Sequence, residues 1–172
     1  MKVNIGCGLD IKPGWVNIDA QTGPGVDIVL DLEDGVLPFP DNSVDEAYCA
    51  HVLEHLWEWE PIILEVFRVL RPGGRFEVKV PYGWKPCAYH VRTFDVWTLD
   101  WFIQGMAMED TNSLEPDGRF ILESRRVNRK FPFYYHVRKY LWRNAPLRLI
   151  SPRIGQKHEI VWILRKPDGA WP

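Results

Sequence analysis

The sequence predicts an α/β domain built on a mostly parallel sheet of seven strands. Three observations lead there: short β-branched runs recur with turn residues between them, one long amphipathic helix separates two of the runs, and the connections are short. The 172 residues suit one domain with its own core, and 46% hydrophobic with 26% charged residues is a globular composition.

The strand runs are Lys2 to Ile5, Trp15 to Ile18, Val26 to Leu30, Val44 to Cys49, Arg75 to Val80, Phe120 to Asn128 and His158 to Arg165. The long helix is predicted over Pro61 to Leu70. Pro61 suits the first helical position, Glu58 and Glu60 suit the positive end, and Pro72-Gly73-Gly74 stops it. Ile63, Val66, Phe67 and Leu70 make its core stripe. Thr93 would cap a second helix bearing Phe94, Trp97 and Trp101, and Phe133, Val137 and Leu141 suggest a third. In such a sheet the ligand site lies beyond the carboxyl ends of the strands, where the strand order reverses.

Cys7, Cys49 and Cys87 are odd in number and lack CxxC spacing, which excludes a disulfide framework or zinc knuckle and suits a reducing cytosol. Neither a signal segment nor a membrane span is expected, so the expected location is cytoplasmic. The formal net charge of −2 hides an asymmetry: residues 1 to 118 carry −12 and residues 119 to 172 carry +10. The two parts either attract each other or leave a basic surface for an anionic partner.

The first strand runs straight into Gly6-Cys7-Gly8, and the second ends in Asp19. A glycine pair lets backbone approach a ligand, and an acid closing the next strand can accept both hydroxyls of a ribose. The third glycine of the dinucleotide fingerprint is absent, and Asp19 comes too soon after Gly6 for a full first helix. A pyrophosphate would want that helix N-terminus, whereas a nucleoside carrying a sulfonium amino acid can do without it.

Further motifs follow in order: Pro13-Gly14-Trp15-Val16-Asn17-Ile18-Asp19, Asp27 to Leu32, Leu37 to Asp45, His51-Val52-Leu53-Glu54-His55-Leu56 and Leu70-Arg71-Pro72-Gly73-Gly74. Together they resemble the small class I S-adenosylmethionine-dependent methyltransferases of type 11, almost without a gap over residues 1 to 81. The resemblance implies a Rossmann-like, seven-stranded, mostly parallel sheet with an antiparallel last strand, here with a reduced first helix. The length and composition predict a single domain over 1–172, with a cofactor-binding half (1–81), an acceptor-side region (82–118) and a basic aromatic insertion (130–153). The resemblance also implies S-adenosylmethionine as cofactor, held by Gly6, Cys7, Gly8, Asp19, Asp31, Leu32 and His51. Asp31 has an alternative reading as a turn residue.

Methyl transfer is an in-line displacement, so positioning supplies much of the acceleration and the acceptor must be made nucleophilic. A hydroxyl acceptor needs a general base or a metal. His51, Glu54 and His55 have the spacing that puts three side chains on one face of a helical turn, and His90 follows the fifth strand at the same sheet edge. His51, His55 and His90 are the candidate catalytic residues. With Glu54 they resemble the metal set of the small-RNA terminal 2′-O-methyltransferases and the ubiquinone-pathway O-methyltransferases. A divalent metal on His51, Glu54, His55 and His90 is therefore one expectation, with a softer ion than magnesium favoured by the histidines. Support of the cofactor loop by Glu54 and His55, with no metal, is the other. The inverzincin pattern HxxEH needs a long helix around it, which Pro61 forbids.

No NPPY-like segment stacks a flipped base, and Cys87 lies outside the place of a base-methylating cysteine, so oxygen is the expected acceptor atom. Tyr82, Trp84, Tyr89, Trp97 and Trp101 would wall the acceptor side. The leading expectation is O-methylation of a saccharide or small polar hydroxyl compound. The alternatives are RNA 2′-O-methylation with a divalent metal and a cofactor-binding module without turnover. Residues 130 to 153 mix aromatics with Arg138, Lys139, Arg143, Arg148 and Arg153, and could grip nucleic acid, lie on an anionic membrane, form a lid or pack against a second subunit in a homodimer.

Overall fold

A computed structural model describes residues 1–82, 89–104, 120–129 and 158–169. Seven strands form one sheet: β1 Lys2–Ile5, β2 Val16–Asp19, β3 Ile28–Val29, β4 Val44–Ala50, β5 Leu70–Pro81, β6 Ile121–Arg129 and β7 His158–Arg165. Their spatial order is β3-β2-β1-β4-β5-β7-β6. The first five run parallel to one another, and β7 is antiparallel to both β5 and β6. The order reverses between β1 and β4, so the crevice of the fold lies where Ile5 meets Gly6 and Ala50 meets His51.

The sheet is apolar on one face. Val3, Ile5, Ala47, Cys49, Phe76, Val78, Val80, Ile160, Trp162 and Leu164 point into a single core, as the period of two demands. Helix α1, Glu60–Val69, buries Ile62, Ile63, Val66 and Val69 against that core, with Pro61 in its first turn. The opposite face carries ion pairs instead. Lys2 meets Glu46 at 2.6 Å, Arg75 lies between Glu46 and Glu77 at 3.4 and 3.6 Å, Lys79 meets Glu77 at 3.0 Å, and Arg165 meets Glu123 at 3.4 Å.

The short connection from β1 to β2 follows from two buried amides. Asn4 and Asn17 occupy strand positions where aliphatic residues would meet a covering helix, and both are nearly inaccessible. Asn4 Nδ2 donates to Asn17 Oδ1 at 2.9 Å and to the Asp10 carbonyl at 2.7 Å, and Lys12 N donates to Asn17 Oδ1 at 2.9 Å. Asp27 Oδ2 accepts from Asn17 N at 2.7 Å. The loop is thus tied to the sheet by polar bonds, with no room for a first helix.

Several elements differ from expectation for local reasons. Strand β3 is two residues long, because Val26 N closes a turn onto Gly23 O and the Asp27 side chain turns to Asn17. Pro72-Gly73-Gly74 ends α1 as expected, yet it lies inside β5, paired with Lys166 through Gly73 N and Gly74 O. The helix expected after Thr93 does not form. Asp95 Oδ1 accepts from Trp97 N at 2.9 Å and Thr98 Oγ1 at 3.0 Å, drawing the chain into a turn, and only a 3-10 turn at Asp100–Phe102 follows. The helix expected around Phe133 to Leu141 lies outside the described residues, as do the 130–153 segment, Trp84 and Cys87. Among the described residues, no helix is long and apolar enough to cross a membrane.

Arg68 on α1 joins the helix to the loop before β4. Its guanidinium donates to Glu65 at 2.7 and 2.8 Å, to Asp41, and to the carbonyls of Leu37 and Phe39. That partner, with the Leu37 N–H, holds the Glu65 carboxyl below its usual range against the opposing effect of burial. A lowered folded value stabilises above the unfolded value and loses that contribution as pH falls through the folded one. Glu65→Gln should therefore cost about 1 kcal/mol near neutral pH, and its deficit against wild type should begin to shrink as pH falls below the ordinary Glu value of about 4.3. Thermal melts of both proteins across this range measure the difference.

Candidate functional site

The crevice between β1 and β4 begins with the glycine loop. Gly6 has φ +64° and Gly8 φ +50°, conformations that side chains rarely adopt. A Cβ on Gly6 would lie 2.2 Å from Val52 Cγ2, so the loop passes directly under the turn that follows β4. Over Gly8 there is nothing within 4 Å of a Cβ position, which leaves its backbone open to a ligand. Cys7 between them is buried, and burial together with Asp19 pushes its thiol up, so it offers no thiolate.

Asp19 closes β2 and organises this loop. Its Oδ2 accepts from Gly8 N at 2.7 Å and its Oδ1 from Gln21 N at 3.0 Å. Each oxygen keeps a further lone pair, so the carboxylate can hold the loop and still accept two vicinal hydroxyls. Asp31 caps the 3-10 turn Leu32–Asp34, its Oδ1 accepting from Glu33 N at 3.0 Å. The Leu32 side chain is buried in the core, so only its backbone could meet a ligand. The expected cofactor residues thus gather at one sheet edge, and their open backbone and hydroxyl acceptors fit an unphosphorylated nucleoside.

His51 sits on the first residue past β4 with φ +58°, a strained conformation for a side-chain-bearing residue, its N–H donating to Lys79 O at 2.9 Å. The imidazole lies between two carboxylates: Nδ1 is 3.3 Å from Glu54 Oε1 and Nε2 is 3.4 Å from Glu159 Oε2. Glu54, with Glu159 behind it, raises the His51 pKa against the opposing effect of burial. Glu159 also accepts from Asn128 Nδ2 at 3.0 Å, which ties it to β6. Neither Asn128 nor Glu159 stood out in the sequence. The only available signal was a Glu at the start of a strand otherwise reading Ile-Val-Trp-Ile-Leu.

Glu54 is 1% exposed, and among the described residues neither carboxylate oxygen receives a well-formed hydrogen bond. Beside it stand His55 and His90, with ring centroids 4.9 Å apart. One ligand-capable atom from each of Glu54, His55 and His90 lies within 4.8 Å of the others. His51 is not part of that set, and of the four residues expected to share a metal only these three come together. Of the expected aromatic wall, Tyr82, Tyr89 and Trp97 are exposed, Trp97 under the Arg125 guanidinium at 5.2 Å, while Trp101 packs on the core.

Residues 3–78 match the model of a methyltransferase domain family, type 11. The chain is 53% identical over 45 residues to a probable S-adenosylmethionine-dependent methyltransferase of Mycolicibacterium smegmatis, covering 26% of this chain and 18% of that one. It is 35% identical over 95 residues to the ubiquinone/menaquinone biosynthesis C-methyltransferase UbiE of Cupriavidus taiwanensis, covering 54% and 36%. These matches therefore span well under half of either relative. Among solved structures, a Burkholderia thailandensis 1,6-didemethyltoxoflavin-N1-methyltransferase with bound S-adenosylhomocysteine aligns at TM-score 0.59 and 16% identity, over 97% of this chain and 71% of that one. A Haloferax volcanii putative methyltransferase in complex with the Trm112 activator aligns at 0.58 and 13%, over 96% and 82%. At such identities these two show the fold. With the strand order, the glycine loop and the acid closing β2 in place, residues 3–78 are similar to the methyltransferase domain of type 11, set in a Rossmann-like sheet of the kind its structural neighbours share.

Proposed function

We propose that the protein methylates a hydroxyl of a saccharide or similar small polar acceptor, using S-adenosylmethionine, with His51 as the proton acceptor. The observation that carries this reading is the imidazole suspended between Glu54 and Glu159 at the reversal point of the sheet, one residue before Val52, which lies against Gly6. When bound, S-adenosylmethionine supplies a methyl group on a sulfonium that departs as a neutral thioether. Gly6 and Gly8 bring backbone against it, Asp19 holds the ribose hydroxyls, and Asp31 with the Leu32 backbone borders the adenine. His51 Nδ1 is oriented by Glu54, and an acceptor hydroxyl entering beside Nε2 meets both the imidazole and the Glu159 carboxylate. Either can take its proton, so the acceptor oxygen attacks with its charge developing next to a base.

A base that deprotonates a hydroxyl also prepares a hydroxylated ring for methylation at carbon, and the UbiE relative is named a C-methyltransferase. NMR of the methylated product separates the two attachments. A second reading, RNA 2′-O-methylation, is favoured by the +10 charge of residues 119 to 172. Phosphate contacts would give a steep salt dependence of single-stranded RNA binding, and a flat response would exclude that acceptor. The 130–153 segment as a contact to an acceptor or a second subunit belongs to the same proposal.

Asp19→Ala should weaken S-adenosylmethionine binding by about 1.5 to 3 kcal/mol, the scale of lost hydrogen bonds to a charged group. Asp19→Asn, which can still accept from Gly8 N, should lose less. Calorimetric affinities equal to wild type in both variants would remove Asp19 from the ribose role. His51→Asn should lower kcat by roughly 100-fold or more with cofactor affinity unchanged. An intact kcat on an acceptor found by profiling extract with labelled cofactor would remove His51 from proton transfer.

A further inference from the structure

A carboxylate as deeply buried as Glu54, with no well-formed hydrogen bond to either oxygen among the described residues, is costly unless another charge compensates it. His51 Nδ1 reaches one oxygen at ion-pair distance and leaves the other unanswered. The groups around that carboxylate are arranged as a cation's ligands would be. His55 Nδ1 lies 2.9 Å from the Tyr89 carbonyl, which selects the tautomer with hydrogen on Nδ1 and leaves the Nε2 lone pair outward. A second-shell carbonyl on a histidine is the usual companion of a metal-binding imidazole.

His90 is held over the same carboxylate from both sides of its backbone. Tyr89 O is engaged by His55, while the Glu54 carbonyl accepts from Val91 N at 2.9 Å and from Arg92 N at 3.3 Å. Arg92 in turn donates to Trp57 O at 2.5 Å. Residues 89 to 92 are thereby stapled to the 3-10 turn Leu53–His55.

We propose that Glu54, His55 and His90 form a binding site for one borderline divalent transition ion, with zinc the best fit. Two imidazoles and one carboxylate are a donor set suited to such an ion and poorly suited to magnesium. Their present spread of up to 4.8 Å must tighten to roughly 3.4 Å, the edge of a tetrahedron at ordinary zinc distances, which side-chain rotation supplies. Three protein ligands leave a fourth position open. The site does not depend on which acceptor is used.

The test is direct binding to the full chain after dialysis against chelator. Titration with zinc should show about one equivalent bound, and cobalt should give the visible absorption of a low-coordinate site. Glu54→Gln and His90→Ala should each weaken zinc binding at least tenfold. His90 is half-buried outside the core, so its variant folds even if the buried glutamine does not, and retained S-adenosylmethionine binding shows that it has. Three results would overturn the site: no stoichiometric zinc, zinc bound equally well by a folded His90→Ala protein, or displacement of zinc by excess magnesium.

Discussion

The amide contact between Asn4 and Asn17 is the constraint on which the rest of the molecule depends. Two buried side-chain amides on adjacent strands cost stability unless their hydrogen bonds are made, and each lost partner is worth about 1 to 3 kcal/mol. Here the bonds go to the Asp10 carbonyl and the Lys12 backbone in the loop itself, and to Asp27 just before β3. The loop therefore lies flat on the sheet where other folds of this kind place a helix. Because it lies there, Gly8 comes within 2.7 Å of Asp19, and Gly6 comes under Val52. This edge of the sheet, with Gly6, Gly8 and Asp19, is assembled by polar bonds rather than by helix packing.

A second consequence runs through the whole sheet. With apolar packing confined to one face, the other must be made compatible with water, and the ladder from Lys2 through Glu46 and Arg75 to Glu77 and Lys79 does this. Partly exposed pairs contribute about 0 to 1 kcal/mol each, so the ladder is not what holds the fold together. Its value is negative: it removes an apolar surface that would otherwise seek another chain. The stability resides in the single core under α1, where Ile62, Ile63 and Val66 meet Val3, Ala47 and Phe76.

What the sequence made legible followed from periodicity and from motifs in register. All seven strands, α1 and the gathering of Gly6, Gly8 and Asp19 could be read, because each rests on local signals within a few residues. What escaped depends on side chains choosing partners far along the chain. Asn17 reads as an ordinary strand residue until Asn4 and Asp27 are seen around it, and Glu159 as a strand start until His51 is seen 3.4 Å away. The missing helix after Thr93 was a competition: the aromatic spacing favoured a helix, and the Asp95 side chain captured the backbone N–H of Trp97 first. The HxxEH spacing suggested one shared face, but the turn after Ala50 splits it, since the left-handed His51 and the 3-10 turn at Leu53 aim their side chains differently.

That split gives Glu54 two neighbours of different kinds. On one side is His51, whose other nitrogen already has Glu159; on the other is the pair His55 and His90. A carboxylate with two oxygens can serve both sides at once, one oxygen to each, and its burial ensures that water takes neither. A positive charge on the His55 side would draw electron density from the oxygen facing His51 and weaken its hold on Nδ1, leaving Glu159 as the stronger anchor. Tension between the two halves of the site is thus built into one side chain. The left-handed backbone at His51, worth about 1 to 3 kcal/mol of strain, is consistent with a residue held in place by its surroundings rather than by its own preference.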